Sequence, residues 1–315
     1  MTQLLDHPET STLNLAGASA EVVASSEAAS RPNDNCVLCG EPSRTLFQKY
    51  GVWIRECPAC SHRFAVPELQ TGHVESLYDD DYFFGGGAGY HDYLSEAKLL
   101  TAHGRRYARV LSRFAEPGRL LDVGAAAGFI LKGLAEAGWE GHGIEPNATM
   151  ARHAREQLNL DVACGTLEDM PADSQFDVVS MVQVVAHFLD PHQTTQRVAE
   201  LVRPGGLCLV ETWNVRSWSA RLFGQNWHEY SPPSVLQWYS PATLTRLFAN
   251  HGFERVAQGR PSKKISIGHA RSLLEHGQDQ SLIARIGAGV LKCLPGDLTL
   301  PYPSEDLFWL LLRKQ

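Results

Sequence analysis

No apolar run in this 315-residue chain exceeds the six residues from Leu307 to Leu312, far short of the roughly 20 that a membrane-crossing helix needs. Positive charge is also in short supply. The net charge is −7 and the pI about 6.0, so the molecule as a whole does not offer the electropositive field that phosphate backbones attract. No lysine or arginine precedes Arg31, and the N-terminus therefore lacks the basic start of a secretory signal. Aromatic residues are missing from residues 1–35, which are rich in Ala, Ser, Thr and Glu; such a segment cannot bury enough apolar surface to offset chain entropy and is expected to be a disordered tail. These absences predict a cytoplasmic protein that meets neither membrane nor nucleic acid, and none of them speaks to oligomeric state.

Cysteine, by contrast, is present in a pattern. In a reducing compartment seven cysteines are metal ligands, catalytic thiols or core fillers rather than disulfides, and four of them pair as CVLC (Cys36, Cys39) and CPAC (Cys57, Cys60) with 17 residues between. Two Cys-x-x-Cys knuckles at that spacing predict one tetrahedral zinc held by four thiolates. Four protein ligands leave no open position for substrate or water, so this zinc is structural. A ribbon over residues 36–67 follows, with TLFQKYGVWIREC as the β-rich arm between knuckles. Cys164 and Cys208, inside candidate strands, read as core thiols.

Residues 68–94 include SLYDDDYFFGGGAGYHDYL, aromatic, acidic and broken by glycines, and read as a lid or a linker. A helical pattern follows from Ser95 to Phe114. From Arg119 the chain alternates strand and helix: RLLDVG, GHGIEP, LDVACG, FDVVSMV, GLCLVET and FERVAQ are strand candidates, and DLFWLLLRK closes the chain after a helical segment near residues 271–294. Such alternation predicts a doubly wound α/β sheet, mainly parallel.

Ligands in such sheets sit at the carboxyl ends of the strands. The first turn, LLDVGAAAG over residues 120–128, has Gly124 and Gly128 but not the G-x-G-x-x-G spacing of a dinucleotide fold. Gly124 permits the tight turn, and Gly128 lets helix and cofactor come close. Asp122, two residues before Gly124, repels a pyrophosphate and welcomes a cation. Glu145, 23 positions later in GIEPN, is placed to accept hydrogen bonds from ribose hydroxyls. A cationic nucleoside without phosphate fits both acids, and S-adenosylmethionine is such a molecule.

LLDVGAAAGFIL, GIEPN, GTLEDMP, FDVVSMVQVVAHFLDP and VRPGGLCLVETWN, in that order, resemble the class I S-adenosylmethionine-dependent methyltransferases over about residues 95–260. With its CVLC and CPAC leader and LYDDDYF, the chain is similar to bacterial members with a zinc-ribbon leader, found with glycan or specialised-metabolite pathways. The resemblance implies a Rossmann-like seven-stranded sheet with a core over residues 95–260 and an acceptor-side segment over 261–315. It implies that Asp122, Gly124 and Gly128 surround the methionine portion, that Glu145 holds the ribose, that Thr166 and Leu167 flank the adenine, and that Gln183 faces the sulfonium. Two positions depart from the pattern: Ala126 replaces the usual middle glycine, and Ala186 stands where many relatives carry glutamate.

Methyl transfer is an in-line displacement that needs a base only if the acceptor must lose a proton. His187, just past the fourth core strand, is one candidate base. His228 with its neighbour Glu229, in NWHEYSPP, is another, because a carboxylate raises imidazole basicity. Tyr82, with Tyr78, Phe83 and Tyr90, is a candidate cover over the cofactor. The expected function is transfer of a methyl group from S-adenosylmethionine to a small-molecule acceptor, a sugar or specialised metabolite, with O-methylation favoured over N- or C-methylation. The alternatives are a cofactor-sensing module recruited through its ribbon and, on the same sheet, an NAD-dependent oxidoreductase.

Overall fold

The computed structural model describes residues 35–67, 80, 83, 93–261, 264–267, 295, 299–301 and 304–315. The expected N-terminal tail, most of the lid-or-linker segment including Tyr78, Tyr82 and Tyr90, and the helical segment near 271–294 lie outside those residues.

Strands β1 (Arg44–Lys49), β2 (Val52–Glu56) and β3 (Arg63–Ala65) follow the first knuckle. The helix α1 (Ala97–Leu111) leads into β4 (Arg119–Val123), α2 (Phe129–Ala135), β5 (Glu140–Glu145), α3 (Ala148–Leu158), β6 (Asp161–Cys164), β7 (Phe176–Val182), α4 (Pro191–Leu201) and β8 (Val202–Trp213). Then come α5 (Trp218–Phe223), β9 (Gln237–Trp238), α6 (Pro241–Ala249), β10 (Phe253–Gly259), the short paired strands β11 (Lys264–Ser266) and β12 (Thr299–Pro301), and β13 (Leu307–Lys314).

The helix starts are written in the sequence. Asn147, Asp190, Ser217 and Ser240 each cap a helix by accepting from backbone N–H groups of its first turn, and Pro191 and Pro241 occupy first-turn positions where no N–H is needed. Among the described residues no helix is long and apolar enough to cross a membrane.

The main sheet has the order β10-β13-β8-β7-β4-β5-β6. β8, β7, β4, β5 and β6 run parallel, while β13 is antiparallel to both β8 and β10. The sheet is thus mixed, and its strand order reverses at the β4–β7 boundary, where a ligand crevice is expected. One face packs Leu120, Val178, Leu207, Leu209 and Leu311 against Tyr107 and Leu111 of α1 and Leu131 and Leu134 of α2. Helix α1 lies unusually close to α2: a Cβ on Gly104 would run into the Ile130 carbonyl. Such close approach needs glycine.

The ribbon is not self-contained. Its sheet has the order β1-β2-β3-β9, and β9 comes from the far side of the core, pairing Arg63 with Trp238 and Phe64 with Gln237. Buried Trp227, Tyr230, Val235, Leu236 and Trp238 pack with Ile54 and Ala65 of the ribbon in one cluster. No local pattern in the sequence announces a pairing across some 175 residues.

Candidate active site

The turn after β4 is held in a strained form. Gly124, Ala126 and Gly128 all have φ between 47° and 83°, and Ala126 is the one with a Cβ. That geometry turns the Ala126 N–H onto Glu145 Oε2 at 2.9 Å, while Glu145 Oε1 accepts from Asn147 N at 2.8 Å. Glu145 ends β5 and is buried. A Cβ on Gly128 would meet Leu160 and Ala154, so its bareness lets α3 pack closely against the turn. A Cβ on Gly124 would strike Val184.

Asp122, one position before the end of β4, is buried and accepts the Ser180 hydroxyl at 2.6 Å. Burial pushes its carboxyl up to about 7, against the Ser180 hydrogen bond, and the nearby Glu145 adds to the rise. Burial likewise pushes Glu145 up to about 7 against its two N–H donors. Two carboxyls raised to about 7 thus stand at adjacent strand ends, where a positive charge nearby favours their ionised form. Gln183 completes the edge: it follows β7 with φ 63°, donates Nε2 to Glu211 Oε1 at 2.6 Å, and leaves its buried Oε1 without a partner. A cationic ligand fits these acceptors, and a pyrophosphate does not.

Thr166 and Leu167 lie just past β6. The Thr166 hydroxyl bonds Asp169 in a capping box, and Leu167 is packed in the core. Cys164 departs from its expected burial, being exposed at the end of edge strand β6, while Cys208 is buried. Tyr93 stacks on Phe129 and meets Phe83 edge-on, in a cluster with Ala126, Ala127 and Met150. Asp80 accepts from Asn147 and Thr149, each at 3.1 Å. Leader residues therefore sit against both cofactor loops.

The two candidate bases have different surroundings. His187 has both ring nitrogens against backbone carbonyls, Nδ1 at 2.7 Å from Ser234 and Nε2 at 3.0 Å from Gln183, and burial lowers its pKa. It ties the loop after β7 to the segment before β9. His228 keeps 55% of its side chain exposed, with Nε2 2.7 Å from Glu229 Oε1. Its ring meets Trp213 and Trp227 edge-on at about 6 Å. Burial opposes its protonation, but the hydrogen bond and charge of Glu229, with Asp306 behind, raise its pKa above the usual value.

The four knuckle cysteines come together with all Sγ atoms within 4.8 Å of one another. Cys36 and Cys60 lie 3.6 Å apart and Cys39 and Cys57 3.5 Å. A zinc tetrahedron with Zn–S bonds of about 2.3 Å has edges of about 3.8 Å, so the set fits that ion. Each knuckle closes alike: Cys36 N donates to Glu41 O and Gly40 N to Cys36 O, as Cys57 N does to His62 O and Ser61 N to Cys57 O. Gly40 and Ser61 both take positive φ there.

Residues 96–258 match the model of a methyltransferase domain family. The chain belongs to this family. A ubiquinone biosynthesis O-methyltransferase of Nitrobacter winogradskyi is 31% identical over 146 residues, covering 42% of this chain and 56% of that protein. One from a Caulobacter strain is 34% identical over 132 residues, covering 40% and 50%. The chain thus spans about half the length of the curated relatives it matches. A magnesium protoporphyrin IX methyltransferase from Synechocystis, solved with S-adenosylhomocysteine, shares the fold at TM-score 0.50 and 12% identity, covering 76% of this chain and 100% of that one. The domain over residues 96–258 is that of an S-adenosylmethionine-dependent methyltransferase, and the four cysteines are placed to hold a metal ion.

The titration of the two acids sets a pH dependence. A cation is bound by ionised carboxylates, and carboxyls near 7 are partly protonated at neutral pH, so binding releases protons. Affinity for S-adenosylhomocysteine, which keeps the cationic amino group, is expected to rise by about fivefold or more from pH 6 to pH 7.5. Calorimetry in buffers of different ionisation enthalpy measures both affinity and proton release; a flat profile would show that neither acid meets the ligand's charge.

Proposed function

We propose that this methyltransferase acts on a small-molecule acceptor, transferring the methyl group to a hydroxyl oxygen. His228 would take the proton. S-adenosylmethionine, when bound, supplies a methyl carbon made electrophilic by its positively charged sulfur. Asp122, Glu145 and Gln183 would hold that donor by its amino group, ribose and sulfonium side respectively. Curated relatives are O-methyltransferases of ubiquinone biosynthesis, which favours oxygen as the atom methylated, and the expectation of a sugar or specialised metabolite as acceptor stays part of this proposal.

The observation that carries the reading is the His228–Glu229 pair. An exposed imidazole with its pKa raised by a buried carboxylate suits removal of a proton from an acceptor hydroxyl near neutral pH. Trp213, whose ring meets His228, ends β8 two residues beyond Glu211, so one strand end joins this base to the cofactor edge at Gln183. His187, buried with its two ring nitrogens facing the Ser234 and Gln183 carbonyls, lies between two loops and is read as a clamp.

His228→Ala is expected to lower kcat by about 10²-fold while leaving affinity for S-adenosylhomocysteine nearly unchanged. In the wild type, activity is expected to fall as pH drops through the His228 pKa, which lies above 6.5, because the protonated ring cannot accept a proton. The acceptor for this assay is found by screening phenolic and sugar hydroxyls for release of S-adenosylhomocysteine. A His228→Ala enzyme with full kcat on such an acceptor would remove the base role.

A further inference from the structure

A carboxylate buried in a run of apolar strand residues calls for an explanation, and GLCLVETW contains one. Glu211 has no exposed surface. It lies across from Val182 on β7 and Trp309 on β13, near the carboxyl end of β8 and close to the crevice. Its Oε2 accepts the Tyr107 hydroxyl and lies 3.0 Å from His103 Nε2; its Oε1 accepts Gln183 Nε2 at 2.6 Å. His103 and Tyr107 are one turn apart on α1, their rings stacked at 4.7 Å, and the Arg106 guanidinium feels the Glu211 charge.

A charged buried group surrounded by donors is costly unless it is retained for some task. The next residue along the network suggests which. Gln183 adopts a left-handed backbone at φ 63°, a strained conformation for a side chain of its length. Its backbone N–H donates to the Glu211 carbonyl at 2.9 Å and its amide NH₂ to the Glu211 carboxylate. Because a carboxylate only accepts, it must be the NH₂ half of the amide that faces it. The carbonyl half is thereby turned the other way, and that buried Oε1 has no partner.

We propose that Glu211, held by Tyr107, is a positioning residue that fixes the Gln183 amide so that its carbonyl oxygen faces the positively charged centre of the methyl donor. This rests on the reading above that Gln183 borders the sulfonium. A preset carbonyl dipole favours positive charge at that point and does little for the neutral sulfur of the product. Glu211 therefore gives the site discrimination between charged donor and spent product, without touching either.

The experiment compares two ligands by calorimetry on the full-length, zinc-loaded protein. One is S-adenosylhomocysteine, neutral at sulfur. The other is sinefungin, a stable analogue carrying an ammonium-bearing carbon in place of the methylated sulfur. In Glu211→Gln either half of the Gln183 amide can face residue 211, so the orientation is no longer imposed. Affinity for sinefungin is expected to fall by about tenfold relative to that for S-adenosylhomocysteine, the scale of one hydrogen bond to a charged group. Gln183→Met, which keeps the length and removes the oxygen, is expected to lose the same ratio.

If Gln183→Met changes the ratio and a folded Glu211→Gln does not, the positioning role is overturned while the sulfonium reading stands. If neither variant changes it, Gln183 does not face the charge and both fail. Equal weakening of both ligands by Glu211→Gln would mark Glu211 as structural only and likewise overturn the proposal. Should Glu211→Gln not fold, Tyr107→Phe removes one of the donors on Glu211 and is expected to shift the ratio the same way by about threefold; an unchanged ratio in that folded variant overturns the proposal too.

Discussion

Cys57→Ser is expected to abolish metal binding, to unfold the β1–β3 ribbon and to lower kcat/KM by about 10²-fold or more, while S-adenosylhomocysteine still binds with an affinity within about threefold of wild type. The asymmetry follows from where the ribbon is attached. Hydrogen bonds of β3 run to the segment that bears His228. Arg63 donates to the Tyr230 hydroxyl at 2.6 Å, His62 Nε2 lies 2.9 Å from Gln237 Oε1, and Ala65 N donates to Leu236 O at 2.8 Å. Glu56 in turn receives Arg63 at 3.1 Å and Arg44 at 2.7 Å.

A three-strand sheet of such short elements buries too little to fold by itself. Metal binding supplies the missing stability, which in small zinc modules is about 10–16 kcal/mol. Without it, Tyr230 and Trp238 lose the wall they pack against, and His228 loses its fixed place beside Trp213; displacement of a catalytic group by about 1 Å costs on the order of 10²-fold in rate. Metal analysis, hydrogen exchange over residues 44–65 and 227–238, and calorimetry on one preparation measure all three effects. Full turnover by a metal-free variant would show that the ribbon plays no part in holding the acceptor side.

Much of this arrangement is readable in the sequence because its signals are local. Apolar runs of strand length bounded by Gly, Asp and Pro locate the core strands, the knuckle spacing locates the metal site, and Asp122 and Glu145 are betrayed by acids at the ends of apolar strands. What escapes is set by contacts between distant residues. Glu211 meets Tyr107 across 104 positions and His62 meets Gln237 across 175, and no window of sequence contains both partners. Glu211 did leave one trace, a charge inside GLCLVETW where only apolar residues are expected. Tyr107 reads simply as one residue on the apolar face of the helical pattern from Ser95 to Phe114. Gly128 shows the same limit: the motif marks it, but the close approach of Leu160 and Ala154 that its bareness permits involves residues 26 to 32 positions later.

Glu145→Ala is expected to weaken S-adenosylhomocysteine binding by at least about 10²-fold and to lower the melting temperature of the ligand-free protein. Both effects come from the same two oxygens. Each carboxylate oxygen has two acceptor sites, and in Glu145 one on each oxygen is taken by a backbone N–H, from Ala126 at 2.9 Å and Asn147 at 2.8 Å. The remaining pair is available to two vicinal ribose hydroxyls, and hydrogen bonds to a charged acceptor contribute about 1.5–3 kcal/mol each. Alanine removes these and also strands two buried N–H groups, one of them in a turn that already carries Ala126 at φ 47° and so has no slack to find a new partner. Glu145→Gln separates the two roles. Its amide can keep one N–H satisfied through Oε1, so much of the thermal stability should return, while the ribose loses the charge and one acceptor and binding stays weak by at least about tenfold. Recovery of binding together with stability in Glu145→Gln would mean that Glu145 serves the turn alone and that the ribose is held elsewhere.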